Sequence, residues 1–143
     1  MKKLERGAAV VEMAFTVILL VWLVLGIVDV GRAIYTNIAL EDAVQAGVAH
    51  AAFTPETDVS DVKNVAISST DSITLTADEI QVACIEVERE PRDGSRVRVE
   101  AVHTMDFVTP LVGQALGGSI DLHKSAEAER FFESCDGLQE VTW

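Results

Sequence analysis

An unbroken apolar stretch lies near the N-terminus of the chain. Every residue from Met13 to Val28 is apolar except Thr16 and Gly26, and the 21 residues of 8–28 contain one charged side chain, Glu12. As an α-helix these residues would extend for about 31 Å, which is the hydrocarbon thickness of a bilayer. The core helix of a small domain would show a polar stripe, and this stretch shows none. The pattern therefore predicts a transmembrane helix over residues 8–28.

The flanking residues predict how this helix crosses the membrane. Residues 1–7 carry three basic side chains against one acidic, so the positive-inside rule puts the N-terminus in the cytoplasm and the body outside. A cleavable secretory signal also starts with basic residues, but no small-x-small site follows Val28. Asp29 and Arg32 instead have the i,i+3 spacing of an ion pair at the interface. We therefore expect the span to be retained.

The helical pattern continues past the membrane. Residues 29–53 contain no proline and are rich in helix formers, with Ile34, Ile38 and Val48 expected on or near one face. Small residues would allow close approach of another element, either the protein's own sheet or a neighbouring subunit, with equal weight for both. These small residues are Ala39, Ala43, Ala46, Gly47 and Ala49.

A short second helix is predicted where the long one ends. The sequence Thr54-Pro55-Glu56 stops the first helix and offers Thr54 as N-cap and Pro55 as first residue of the next. Apolar residues then recur at helical spacing, at Val59, Val62 and Ala66.

From residue 73 onwards the apolar period becomes two. Alternation over 80–87 and again over 97–101, separated by the turn signal of residues 91–94, predicts a hairpin of roughly 80–90 paired with 95–105. A further alternating run starts at Ile120 and continues toward Phe131, and Ser72–Thr76 is a candidate edge strand. The predicted fold is α+β, a long N-terminal transmembrane helix followed by a small antiparallel sheet.

Charge divides the chain into three parts with different roles. The formal net charge of -12 is the sum of +2 over residues 1–7, -1 over 8–28 and -13 over 29–143. Nucleic-acid binding requires a basic surface, so the acidic body excludes it. We expect a basic leader (1–7), a transmembrane and extended helix (8–53) and an extracytoplasmic α+β domain (54–143).

Cys84 and Cys135 are the two cysteines of the chain. Outside the cytoplasm such a pair most often forms a disulfide, and a metal site or two free thiols are the alternatives. Because no spaced ligands accompany the pair, the sequence favours a Cys84–Cys135 disulfide over a metal site.

No catalytic or cofactor-binding pattern stands out. The histidines at positions 50, 103 and 123 lack metal-ligand spacing, and residues 113–118 lack the sequence of a phosphate-binding loop. Glu86, Glu88 and Glu90 alternate as on a solvated strand face, without a calcium-loop sequence. We expect no enzyme activity, no metal and no cofactor.

The N-terminus resembles the class III signal of type IV pilins and pseudopilins. The leader MKKLERG is followed by AAVVE and then by the apolar helix. In that family a prepilin peptidase cuts after the glycine, and the glutamate at the fifth mature position supports subunit assembly. The resemblance implies cleavage between Gly7 and Ala8, with Glu12 as the assembly charge.

A second set of residues resembles the TadE-like family of tight-adherence (Tad/Flp) pilus systems. The segment 26–52 has the family's glycine–arginine–tyrosine block and an alanine-rich helix with a late glycine; the stretches 105–116 and 126–132 are also similar to the family. The motif residues are Gly26, Gly31, Arg32, Tyr35 and Gly47.

This resemblance implies a function in pilus assembly. The chain would be a minor pilin or pseudopilin of an adhesive Tad-type, type IVb-like pilus, in the bacterial inner membrane. Its partners would be membrane lipid, other pilins and pseudopilins, the prepilin peptidase and the assembly platform. The alternative is an uncleaved, membrane-anchored binding module of the envelope without a role in a pilus.

Overall fold

The structure is a computed structural model that describes residues 2–87, 94–110, 113–114, 117–131 and 138. It confirms the predicted α+β fold, with a long N-terminal helix and a three-stranded antiparallel sheet of order β1-β2-β3. The elements are α1 (Lys2–Phe53), α2 (Val59–Ser68), a 3-10 turn (Ala77–Glu79), β1 (Ile80–Val87), β2 (Gly94–Asp106) and β3 (Ser119–Glu129).

Two compact units divide these elements between them. The first unit combines residues 1–34 with 105–120, and the second combines residues 35–104 with 121–143. Helix α1 and strands β2 and β3 each contribute to both units.

The second unit contains the hydrophobic core. The C-terminal part of α1 and helix α2 supply one side of this core, and β1 and β2 supply alternate residues to it, as the period of two predicts. Its buried members are Leu40, Ala43, Val44, Val48, Ala51, Ala52, Val62, Ala66, Leu75, Ile80, Val82, Val97, Val99, Ala101 and Leu138.

The predicted hairpin forms, but its register differs by about four residues from the predicted pairing of 80–90 with 95–105. Ile80 pairs with Ala101 and Val87 pairs with Gly94 in the antiparallel ladder of β1 and β2. The turn sequence predicted at residues 91–94 lies mostly outside the described residues. Across β2 and β3 the Arg98 guanidinium pairs with the Glu127 carboxylate, and Thr104 donates to Asp121 at 2.7 Å.

Polar residues determine where the elements of the second unit begin. Asp58 is the N-cap of α2, and bonds from the Ser60 hydroxyl and the Asp61 N–H lower the pKa of its carboxyl. Burial raises the pKa of Glu79, but bonds from the Thr76 backbone and hydroxyl and from His103 outweigh it, so the pKa is lowered.

Three further details differ from the sequence prediction. Helix α2 begins at Val59 behind Asp58, not at Pro55, because the Asp58 carboxylate accepts the Asp61 N–H. Ser72–Thr76 forms no strand. Ile34 and Ile38 are exposed, because a different face of α1, which carries Leu40, Val44 and Val48, packs against the core.

Cys84 lies on β1, and its side chain is not a free thiol. Cys135 lies outside the described residues, so its pairing with Cys84 stays a prediction.

Gly47 shows why α1 carries small residues where it meets the core. A Cβ at this position would lie 3.3 Å from the Ala66 Cβ, 3.4 Å from a Val99 methyl group and 3.5 Å from a Val62 methyl group. Ala39 and Ala43 are also buried, whereas Ala49 is exposed. Of the two interpretations of these small residues, packing against the protein's own core accounts for Ala39, Ala43 and Gly47.

We predict that Gly47→Val destabilises the second unit by about 1–3 kcal/mol, because the added methyl groups overpack a filled site. Gly31→Val is the matched control, since the same residue enters the same helix where nothing lies within 4 Å of the new Cβ. Denaturant unfolding of the detergent-solubilised chain, followed by circular dichroism, measures both variants. Equal midpoints for the two variants would contradict the packing role of Gly47.

Candidate functional site

The N-terminal part of α1 presents apolar side chains that nothing in the described part of the chain covers. The helix is long and apolar enough to cross a membrane, and none of its most apolar window is buried. Large side chains point outwards all around it; they include Val10, Met13, Phe15, Val17, Ile18, Leu19, Leu20, Leu23, Ile27 and Val28. A helix that is apolar on every face requires an apolar environment, which a bilayer or neighbouring helices supply.

The predicted processing and assembly residues lie at the start of this surface. Gly7 and Ala8 are exposed and helical, and Glu12 is exposed one turn farther on. The backbone carbonyl of Glu12 accepts a bond from the Thr16 hydroxyl at 2.9 Å. Among the described residues no side chain pairs with the Glu12 carboxylate. This carboxylate is therefore an acceptor on an otherwise apolar surface.

The five motif residues of α1 have different surroundings. Gly26 and Gly31 have nothing within 4 Å of a Cβ position, whereas Gly47 is enclosed by the core. The Tyr35 hydroxyl donates to the Ser72 hydroxyl at 2.8 Å and so ties the loop after α2 to the helix. Packing within the chain therefore explains Gly47, and a hydrogen bond involves Tyr35, whereas Gly26 and Gly31 have no such contact among the described residues.

Asp29 is a buried, hydrogen-bonded carboxylate in the first unit. It directly follows the apolar stretch and is only 2% exposed. One carboxylate oxygen accepts the Val108 N–H and the other accepts the Thr109 N–H, both at 2.9 Å. Charge-assisted bonds of this kind are stronger than neutral ones. Asp29 therefore holds the segment that follows β2 against the end of the apolar helix.

Arg32 completes this arrangement. Its guanidinium lies 3.9 Å from the Asp29 carboxylate, at the predicted i,i+3 spacing, and donates to the Asp106 carbonyl at 3.4 Å. The sequence indicated the ion pair but not the role of Asp29 toward Val108 and Thr109, which lie 79 and 80 residues away. A lone aspartate at the end of an apolar run was the available signal, and its distant partners could not be inferred from spacing.

The rest of the described surface offers little chemistry. His103 Nδ1 lies 2.7 Å from a Glu79 carboxylate oxygen in a partly buried pair. In the described ranges no three histidine, cysteine, aspartate or glutamate side chains are grouped so as to hold a metal ion.

We predict that Asp29→Ala accelerates amide hydrogen exchange at Val108 and Thr109, because both N–H groups lose their acceptor. Asp29→Asn should have a smaller effect, since its amide retains one carbonyl oxygen. Hydrogen exchange of the detergent-solubilised chain, read by mass spectrometry on peptides covering residues 105–110, measures this. Asp42→Ala, which alters an exposed carboxylate of the same helix, is the control. The two bonds from Val108 and Thr109 to the Asp29 carboxylate are here called the Asp29 clamp. Unchanged protection in Asp29→Ala would contradict the role of this clamp.

Part of the chain is similar to a known protein family. The model of the family described as TadE-like protein matches residues 7–49. No curated protein and no solved structure matches the chain. The matched range ends before residues 105–116 and 126–132, whose resemblance stays a prediction. The match includes the apolar helix, Glu12 and all five motif residues, so the N-terminal part of this chain is similar to that of TadE-like proteins, as the sequence resemblance predicts.

Proposed function

We propose that this chain is a minor pilin or pseudopilin that helps to assemble a Tad-type, type IVb-like adhesive pilus. The match of residues 7–49 to the TadE-like family carries this proposal. The uncovered apolar surface of α1 supports it, because such a surface needs lipid before assembly and neighbouring helices afterwards. The function is structural rather than enzymatic, and the partners are membrane lipid, other pilins and the assembly platform.

The proposal includes the placement of the chain in the bacterial inner membrane. The basic leader stays in the cytoplasm, α1 crosses the bilayer once, and the acidic body lies outside. A disulfide between Cys84 and Cys135 belongs to the same proposal, because it requires an oxidising compartment. The body takes part in an initiation or tip complex, or remains at the membrane during assembly.

Gly26 and Gly31 are consistent with lateral packing of α1. Their surroundings leave the backbone open to another element, and small residues let helices approach closely in membranes. The Glu12 carboxylate is positioned for the same packing. Removal of residues 1–7 would create an α-amine at Ala8 near the helix N-terminus, and this amine could pair with Glu12 of an adjacent subunit. In a medium of low dielectric, such a pair is costly to break by removing one partner.

We predict that a prepilin peptidase removes residues 1–7. Co-expression of the full chain with an active peptidase should give a product whose intact mass lacks this leader and begins at Ala8. Co-expression with a catalytically inactive peptidase is the control and should leave the mass unchanged. An unchanged mass with the active enzyme would reject processing and favour the uncleaved envelope module.

We further predict that Glu12→Gln strongly reduces the yield of pili while leaving the amount of chain in the membrane unchanged. Glutamine keeps the size of the side chain and removes the charge, so insertion becomes no harder but the proposed pairing is lost. Asp42→Asn neutralises an exposed carboxylate of the same helix and is the matched control. Pilus yield is counted by electron microscopy and the membrane fraction by immunoblot. A normal yield for Glu12→Gln would contradict the role of this charge.

A further inference from the structure

We infer that the segment following β2, here called the interface segment and comprising the described residues 107–110, 113–114 and 117–120, lies in the outer interface of the bilayer and contacts lipid. It forms a second, shallow membrane contact beside the α1 span. This inference rests on the proposed membrane anchoring of α1 and adds to it a lipid-facing surface that no part of the family match covers.

The position of the interface segment follows from the Asp29 clamp. Asp29 is the first residue after the apolar stretch, so a spanning α1 places it at the membrane boundary. The bonds from Val108 and Thr109 to its carboxylate hold the segment at the same level, within the same compact unit. The lipid contact of α1 and the surface of the segment are thus continuous.

The side chains of the interface segment suit that position. The sequence between Asp106 and Asp121 contains no aspartate, glutamate, lysine, arginine or histidine, although the body as a whole is strongly acidic. Val108 is 54% exposed and Ile120 is 40% exposed, and Pro110 is also exposed. Phe107 and Pro110 line an open depression together with the glycines of the segment. Apolar surface of this kind is stabilised by the acyl boundary of a bilayer.

Several backbone N–H groups of the interface segment have acceptors within the protein, which suits a medium with little water. An N–H group that leaves water without an acceptor costs free energy, so membrane segments pair these groups internally. Here Val108 and Thr109 donate to Asp29, Pro110 has no N–H, and the remaining described bonds close the segment on itself. Those bonds are Phe107 N–H to the Gly118 carbonyl (3.3 Å), Gly113 N–H to the Thr109 carbonyl (2.9 Å) and Gly118 N–H to the Gly113 carbonyl (2.6 Å).

Arg32 supplies the polar side of the same contact. Its side chain is 47% exposed while it lies near the Asp29 carboxylate and the Asp106 carbonyl. A guanidinium at this level can extend to lipid headgroups as a long basic side chain does at a membrane surface. The occupant is therefore phospholipid, with apolar contact through Val108 and Ile120 and polar contact through Arg32.

Depth-dependent quenching of an introduced indole tests the inference. The full chain is reconstituted in phosphatidylcholine vesicles after Trp22→Phe, Trp143→Phe and Val108→Trp, and quenching is compared between acrylamide and lipids brominated near the headgroup or near the acyl terminus. Because Val108 is exposed, the larger side chain can be accommodated there. We expect strong quenching by the lipids brominated near the headgroup, weaker quenching by the deeper label, and protection from acrylamide. Ile85→Trp in the same background, which probes an exposed apolar position on β1, should behave in the opposite way.

Three further arms separate the possible outcomes. A chain that retains only Trp22 reports on α1 itself: loss of its lipid quenching would reject the membrane anchoring, whereas its presence without quenching at position 108 would reject the interface segment alone. Addition of Asp29→Ala should reduce the quenching at position 108, and an unchanged value would overturn the role of the clamp. If circular dichroism shows that Val108→Trp disrupts the fold, Ile120→Trp takes its place with the same expected and contradicting results.

Discussion

The structure depends on one requirement, which is that most of the large apolar side chains of residues 8–28 are left exposed by the described part of the chain. Each large aliphatic side chain gains about 1.5–3 kcal/mol when it leaves water completely, and this helix exposes them on every face. The helix is therefore stable only in lipid or among other apolar helices. The contacts of Asp29 and Arg32 lie where this apolar surface ends.

The C-terminal part of the same helix packs in the protein's own core. Beyond residue 34 it becomes part of the second unit, where larger apolar residues enter the core and small ones such as Ala43 and Gly47 let the backbones approach closely. A single helix thus changes its environment without a break, and its sequence changes with it. Large side chains point outwards on every face of the apolar stretch, whereas beyond residue 34 the large side chains Leu40, Val44 and Val48 point into the core.

The features that could be predicted from the sequence were those with a short-range signal. The apolar run, the alternation of residues in β1 and β2, and the end of α1 before Pro55 each follow from a local pattern, and each agrees with the structure. The predicted beginning of α2 was wrong because Thr54 and Asp58 both have the chemistry of an N-cap. Sequence alone does not show which of the two is used. Ile34 and Ile38 were placed with Val48 because their spacing is helical, yet the face of the helix that becomes buried is decided by the residues opposite it.

The Asp29 clamp could not be predicted from such local patterns. Its partners are backbone N–H groups that lie far away in the sequence and carry no residue signature. Its chemistry nevertheless explains the choice of residue. An aspartate offers two acceptor oxygens to two adjacent N–H groups, and its charge strengthens both bonds, which asparagine with one carbonyl oxygen could not do. A buried carboxylate also needs compensation, and Arg32 one turn later supplies it. Asp29 and Arg32 therefore mark the end of the apolar stretch and also connect that end to the segment after β2.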